Sequence, residues 1–397
     1  MIMTDPVIRL AARGDGVTAS GKFFPRTVPG DVVAADGSVT RGFDHVDPAC
    51  RHFGTCGGCQ LQHVSDMAYA GYMVDRISEA LKAQGLVIPE IRTPHLSPLA
   101  SRRRVAFTAE RKGKLVRLGF NEAGSHQLVD VSECLVLDPR LFALTGPLRG
   151  FLRDVMPERR PVSVRMTLAD QGIDLMIGGV EAEDLAAIEA MTAFAEKHCL
   201  ARLIVDEGYG PSTRWEPDPV TITLGGVAVS LPEGAFLQAT ADGEAALLRS
   251  VAEAIGHTRE TADLFAGLGT FAFALPGKIH AVEGARYALL ALHSSAKRAG
   301  RPVSVEHRDL FRRPLTAKEL NRFGAVVIDP PRAGAKEQMT EIAASTVARI
   351  ASVSCNPATF ARDVKILTDG GYRLDWIQPV GQFRWSTHTE LAAQFSR

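Results

Sequence analysis

The turn Asp263-Leu-Phe-Ala-Gly-Leu-Gly-Thr270 constrains this chain more than any other stretch, because it carries two glycines between a strand-like and a helix-like segment. TADLF before it is short and apolar, and the residues after Thr270 are apolar with a helical pattern. Glycine permits a tight turn that brings backbone N–H groups up to a ligand at a helix start. From about Leu231 onward the chain keeps this rhythm. A helix is expected over Ala241–Ile255. The strands TADLF, IHAVEG, PVSVEH, AVVIDPP and RIASVSCNP follow with helices among them, and two terminal strands close the chain. Buried strands alternating with helices make a doubly wound α/β domain of Rossmann-like type.

Upstream the pattern differs. Residues 1–44 read as short strands broken by Gly and Pro turns, which suggests a small β-barrel. Residues 45–63 are irregular and hold three cysteines, and a helix is expected from Asp66 to Gln84. RRVAFTAER, KLVRLGFN, HQLVDVSEC, VSVRMTLAD, IDLMIGGV and LARLIVDEG are strand-like, with a helix over 181–198. The expected division is therefore a barrel over 1–44, a central α+β domain over 45–230 and the α/β domain over 231–397.

Composition limits the partners. The N-terminus has Asp5, Pro6 and Arg9 where a signal peptide needs an unbroken apolar core. No apolar run reaches the roughly 18–20 residues of a membrane span, so a cytoplasmic protein without a membrane partner is expected. Forty-five basic residues balance forty-five acidic ones, so net charge does not argue for nucleic acid. Eight Lys/Arg between Arg92 and Arg117 face one acid, Glu110. Such a stripe reads equally as a phosphate track or as a solvated strand edge. Six cysteines in a reducing compartment point to metal binding or catalysis rather than disulfides.

Chemistry concentrates at strand ends. Glu283 follows Asp263 by twenty residues, at the end of the next strand, where a carboxylate can take a ribose hydroxyl pair. GLGTFA also fits the dinucleotide fingerprint, so these residues leave nicotinamide and S-adenosylmethionine open. Asp329-Pro-Pro-Arg-Ala-Gly334 ends a strand in two prolines that cannot continue a ladder, giving a rigid rim with a carboxylate. A rim of that kind suits a planar base more than a nicotinamide. Ser354-Cys355-Asn-Pro357 puts a cysteine at the same edge. A free cysteine is by default a small buried hydrophobe, but here a helix N-terminus follows and can favour the thiolate. In Thr387-His-Thr-Glu390, Glu390 is a candidate base and His388 the second choice. Cys50, Cys56 and Cys59 follow C-x5-C-x2-C, with Cys134 as the natural fourth ligand. Four thiolates hold either zinc or an iron–sulphur cluster. Cys199 is expected in the core, and His52 and His63 are not expected to be ligands.

Together DLFAGLGTF, IDPPRAG, VSCNPATFARD, THTE, GAFLQ, CRHFGTCGGCQLQH and RRVAF…LGF…SECLVLD cover most of the chain. They resemble the RNA uracil-5-methyltransferases, in particular the iron–sulphur-containing bacterial branch that acts on 23S rRNA. The resemblance implies S-adenosylmethionine as methyl donor, Cys355 as nucleophile and Glu390 as base. It further implies a cofactor pocket lined by Gln238, Phe265, Thr270, Glu283, Asp309 and Asp329. Asn is more usual where Thr270 stands. The four cysteines would hold a [4Fe–4S] cluster, and residues 1–44 would be a shortened TRAM barrel. The expected partner is RNA, 23S rRNA ahead of tRNA, with a monomeric enzyme and no obligate protein partner. Rival readings are an iron–sulphur NAD-dependent oxidoreductase, a non-catalytic RNA-binding assembly factor, and cytosine methylation. The last is disfavoured because Arg332 stands where cytosine enzymes carry a cysteine.

Overall fold

The computed structural model describes residues 4–158, 160–180 and 185–397. The chain sorts into two compact units that interleave along the sequence. The first takes residues up to Tyr72, then Pro98–Val220 and Phe383–Thr387. The second takes Met73–Ser97, Thr221–Gln382 and His388–Arg397.

In the first unit an antiparallel five-stranded sheet runs in the order Phe23–Phe24, Gly16–Thr18, Thr4–Leu10, Val32–Ala34, Val39–Thr40. Buried Asp31 ties its loops together by accepting from Val28 N–H at 2.9 Å and Gly42 N–H at 2.7 Å, with His45 Nδ1 at 2.8 Å. The larger sheet has seven strands, in the order Leu128–Asp130, Leu115–Asn121, Arg104–Lys112, Val162–Ala169, Gly172–Gly178, Leu200–Asp206, Pro211–Trp215. Alternation along these strands buries Val105, Phe107, Val164, Met166, Leu175 and Ile177. Against them lie Leu141, Leu144 and Leu148 from the helix Pro139–Val155, and Met191 and Phe194 from Leu185–Lys197. Asp138 caps the first of these helices on Arg140 N–H, with Pro139 at the position where a missing N–H is harmless. Of the helix expected over 181–198, residues 181–184 lie outside the described residues.

The second unit is built on a nine-stranded sheet. Its order is Val303–His307, Lys278–Glu283, Glu260–Leu264, Ala325–Ile328, Arg349–Ser354, Glu390–Ser396, Arg373–Gly381, Glu90–Ile91, with His95–Leu96 also on Arg373–Gly381. The first five strands are parallel, and Glu390–Ser396 is antiparallel to both neighbours. From Glu260–Leu264 the chain winds outward to Val303–His307 and then returns to Ala325–Ile328. The order therefore reverses between two adjacent strands, where open α/β sheets form a ligand crevice at their carboxyl ends. Leu264, Val282, Ile328 and Ile350 form the core with Phe360, Val364 and Leu367 of the helix Pro357–Asp369. Among the described residues no helix is long and apolar enough to cross a membrane.

Two sequence expectations change. The basic stripe is not one surface. Arg103 is buried, and burial pulls the Arg102 and Arg104 guanidinium pKa values down. Arg92 belongs to the second unit, where it pairs with Glu253 and lies 3.8 Å over the Trp376 ring. What remains exposed is the hairpin tip around Lys112 and Lys114. Cys199 is also not in the core. It is exposed at a left-handed position (φ 48°) between the helix Leu185–Lys197 and the next strand, where the turn directs its side chain outward.

Candidate active site

The glycine turn begins as the strand Glu260–Leu264 ends. Phe265 (φ 60°), Gly267 (φ 54°) and Gly269 (φ 93°) all take left-handed conformations. A Cβ on Gly267 would project into open space, whereas one on Gly269 would lie 2.8 Å from the Phe273 ring. Gly267 therefore leaves room beside the turn, and Gly269 lets the helix Thr270–Ala274 pack closely. Thr270 is half-buried at the first helical position. Glu283 closes the turn by accepting from Gly267 N–H at 2.8 Å and from Ala285 N–H at 2.6 Å. Each oxygen keeps a lone pair for a further donor. Asp309 accepts from Phe311 N–H at 3.0 Å, and the Phe311 ring lies 5.3 Å from that of Phe265.

Asp263, which carried no role in the sequence reading beyond its motif, is fully buried, and neither carboxyl oxygen has a hydrogen-bond partner. Burial pushes its pKa up to about 8, with Asp329 and Glu283 adding repulsion. The Ala272 N–H, too poorly placed for a hydrogen bond, offsets this only in part. Asp263 thus links the carboxylates of the glycine turn to those of the neighbouring strand end.

At that neighbouring end Asp329 follows Ile328 directly, and burial raises its carboxyl to about 7. One strand further on, Ser354 pairs with Leu391 in antiparallel register, which brings Cys355 and Glu390, on either side of that pair, to the same end of the two strands. The helix start after Cys355 does not lower the thiol pKa as expected. Burial, Glu390 and Asp329 push it up, and Arg332 opposes them only in part. Asn356 meanwhile caps the helix itself, accepting from Ala358 N–H at 3.1 Å.

The proline rim and the cysteine helix interlock. Asn356 Nδ2 and Thr359 Oγ1 donate to Arg332 O at 3.1 and 3.2 Å. Arg362 Nη2 donates to Ala333 O at 3.1 Å, and Asp363 accepts from Ala335 N–H at 3.0 Å. Residues three and four apart share a helix face, which gives SCNPATFARD a physical reason to accompany DPPRAG.

Glu390 is 5 % exposed, and burial together with Asp329 raises its pKa to about 8. His388, the second candidate base, is exposed. Gln382, which sequence reasoning missed, holds this corner. Its Nε2 donates to Glu390 Oε2 and, at 2.6 Å, to Gln238 Oε1, while its Oε1 accepts from Ala239 N–H at 2.7 Å. Gln238, Asp329, Cys355 and Glu390 therefore gather at one place on the sheet edge.

The four cysteines lie in the first unit and line one cavity, with Phe53, Arg102 and Phe120 among its walls. All four are free thiols raised in pKa chiefly by burial, Cys59 to about 11. Gly58 N–H donates to Cys56 Sγ at 3.4 Å. Among the described residues no group of three or more His, Cys, Asp or Glu side chains is placed to hold a metal ion. The His52 ring accepts from Ser132 N–H at 2.9 Å, and His63 is buried with neither ring nitrogen bonded.

Comparison with known proteins follows this geometry. A family model described as tRNA (Uracil-5-)-methyltransferase matches residues 303–397. Over its whole fold the chain is similar to the Pyrococcus abyssi tRNA (uracil-54, C5)-methyltransferase solved with S-adenosyl-L-homocysteine. The TM-score is 0.76 at 19% identity, covering 99% of this chain and 100% of that one. An uncharacterized RNA methyltransferase of Zymomonas mobilis is 51% identical over 98% of this chain and 99% of its own. The 23S rRNA (uracil(1939)-C(5))-methyltransferase of Chromohalobacter salexigens is 31% identical over 89% of this chain and 77% of its own. Identity of 31–51% with RNA methyltransferases along 89–98% of its length shows that this chain belongs to the RNA (uracil-5-)-methyltransferase family.

Proposed function

We propose that this enzyme methylates carbon 5 of a uridine in 23S rRNA through a covalent adduct on Cys355. What supports the reading is that the Ser354–Leu391 pair puts Cys355 and Glu390 at the same end of two adjacent strands, with Asp329 acting on both and Gln382 joining Glu390 to Gln238. Carbon 5 of uracil is a poor nucleophile, and thiolate addition at carbon 6 turns it into an enolate carbon. S-adenosylmethionine, when bound, supplies the electrophilic methyl group. The Cys355 thiolate bonds to carbon 6, and the carbon 5–carbon 6 π electrons move toward the O4 carbonyl. After carbon 5 has taken the methyl group, Glu390 removes the proton it still carries. Those C–H electrons restore the double bond and expel the thiolate. Asp329 and Gln238 hold the base against the proline rim.

The turn fits S-adenosylmethionine. Gly267 leaves open space, and Glu283 offers lone pairs for a hydroxyl pair, so Phe265, Thr270, Glu283 and Asp309 would surround the nucleoside and Gln238 and Asp329 its reacting end.

The four cysteines around one cavity fit a group held by thiolates, which can be zinc or an iron–sulphur cluster. Of the two we infer a [4Fe–4S] cluster, from the family resemblance and from the spacing of three close cysteines and one remote one. Cys50, Cys56, Cys59 and Cys134 would hold it, and it would cross-link the loop 45–63 to the strand region near 134. The N-terminal strands 1–44, as a shortened TRAM barrel, and the region 45–230 would grip folded RNA, while 231–397 carries the chemistry. We place the enzyme in the cytoplasm with its RNA.

Mass spectrometry of ribosomal and transfer RNA from a strain lacking the gene tests the substrate. Loss of one 5-methyluridine from 23S rRNA is expected. Loss from tRNA alone would redirect the proposal to tRNA.

A further inference from the structure

We propose that Gln382 is a positioning residue for this site, holding Glu390 as an aimed hydrogen-bond acceptor. The inference rests on the reading of Glu390 as the group that removes the carbon 5 proton.

The orientation of the Gln382 amide is determined by its partners. The two ends of a glutamine amide are distinguished by what they bond. Ala239 N–H can only donate, so the group 2.7 Å from it must be the Gln382 carbonyl oxygen. The Gln382 NH2 group then points the other way, and each of its two protons has one acceptor: Glu390 Oε2 and Gln238 Oε1. Gln382 is 2 % exposed, so water does not compete for these bonds.

Gln238 thereby has its oxygen turned to Gln382. The bond to Glu390 favours the carboxylate over the carboxylic acid. Burial and Asp329, at the end of Ala325–Ile328, work against it, and Cys355, at the end of Arg349–Ser354, also faces Glu390. Arg332, the cation beside Cys355, acts on the thiol. Gln382 and Glu390 stand at the two ends of the connection 383–389, with Val380 paired to Glu390. One side-chain bond thus fixes where the strand carrying Glu390 begins.

Space for Gln382 is built into the opposing helix Ala241–Ile255. A Cβ on Gly243 would lie 2.7 Å from Gln382 Cβ, and Thr240, which caps that helix on Gly243 N–H at 3.1 Å, follows the Ala239 group that orients the amide. The same Cβ would lie 2.7 Å from Thr240 Oγ1, so Gly243→Ala crowds Gln382 and the helix cap together and keeps the Gln382 side chain itself, which makes it a second variant to set beside Gln382→Leu.

The test compares wild type, Gln382→Leu and Gly243→Ala. It reads turnover against pH, release of tritium from RNA carrying 5-tritiated uridine, and adduct formation with RNA carrying 5-fluorouridine. The adduct precedes proton removal and serves as the check that the site is folded. Both variants should form the fluorinated adduct at a rate near wild type. Both should lose kcat by roughly tenfold or more at neutral pH with little change in KM. The acid limb of turnover should move upward by about one pH unit, the size of one hydrogen bond to a charged group, and activity should recover at high pH. An unshifted acid limb in Gln382→Leu, or adduct formation and turnover lost in equal proportion, overturns the inference while leaving the covalent reading intact. A wild-type enzyme that forms no adduct overturns the covalent reading and this inference with it.

Discussion

At the scale of single residues the site is a set of groups held away from their solution protonation states. Cys355 is raised by burial and two carboxylates, and Glu390 is raised to about 8. In the proposed reaction both must lose a proton before they act, so turnover is expected to climb with pH from 6 to 9, with no plateau at neutral pH. A rate that is flat from pH 6 upward contradicts this. Glu390→Gln removes the proton acceptor but not the thiol, so about 10²–10⁴-fold of turnover should go. Natural RNA should then accumulate as a methylated adduct on the protein, visible by denaturing electrophoresis; loss of turnover without that adduct contradicts the role. Cys355 and Glu390 were legible in the sequence because each belongs to a motif at a strand end. Gln382 was not, since its partners Gln238 and Glu390 are 144 and 8 residues away and no spacing rule joins them. Arg102, Arg103 and Arg104 misled for a related reason. A basic triplet looks exposed until the packing around it is known.

Among elements, the interlock between the rim and the helix Pro357–Asp369 carries the most positional information. Gly334 has φ 75°, and a Cβ on it would lie 2.4 Å from Arg362 Nη2 and 2.6 Å from Asp363 Oδ2. Gly334→Ala should therefore cost about 1–3 kcal/mol from backbone strain, with added crowding. It should also slow adduct formation, because Arg332 and Asp329 move with the loop. Thermal melting and adduct kinetics on one sample check both, and an unchanged melt contradicts the crowding argument. Strand and helix order in the second unit was legible from periodicity and turns. What periodicity could not convey is that helix residues 356, 359, 362 and 363 bond the loop backbone at 332, 333 and 335. That is a property of one face meeting another after folding.

For the molecule as a whole, the chain interleaves two units, and a consecutive reading of domains could not express that segments Met73–Ser97 and Phe383–Thr387 cross over. Two whole-molecule predictions follow. Asp263, Asp329 and Glu390 have folded pKa values of about 8, 7 and 8, all above their unfolded values. Between those limits the folded state binds more protons than the unfolded one, so stability falls as pH rises. Melting temperature without ligands should drop from pH 5 to pH 8, and Asp263→Asn should flatten that slope; a rise over the same interval contradicts it. The proposed cluster predicts that anaerobically purified protein is brown and carries iron and that Cys134→Ser lowers both, whereas zinc at one atom per chain contradicts the cluster.

The central claim is the covalent step at Cys355, and the fluorinated substrate addresses it most directly. With RNA carrying 5-fluorouridine and S-adenosylmethionine, the proton that Glu390 would remove is replaced by fluorine, so the adduct cannot resolve. We expect a stable protein–RNA species with wild type, its link mapped to Cys355 by mass spectrometry, and none with Cys355→Ala. An equal adduct from Cys355→Ala, or no adduct from a wild type that methylates ordinary RNA, would contradict the account.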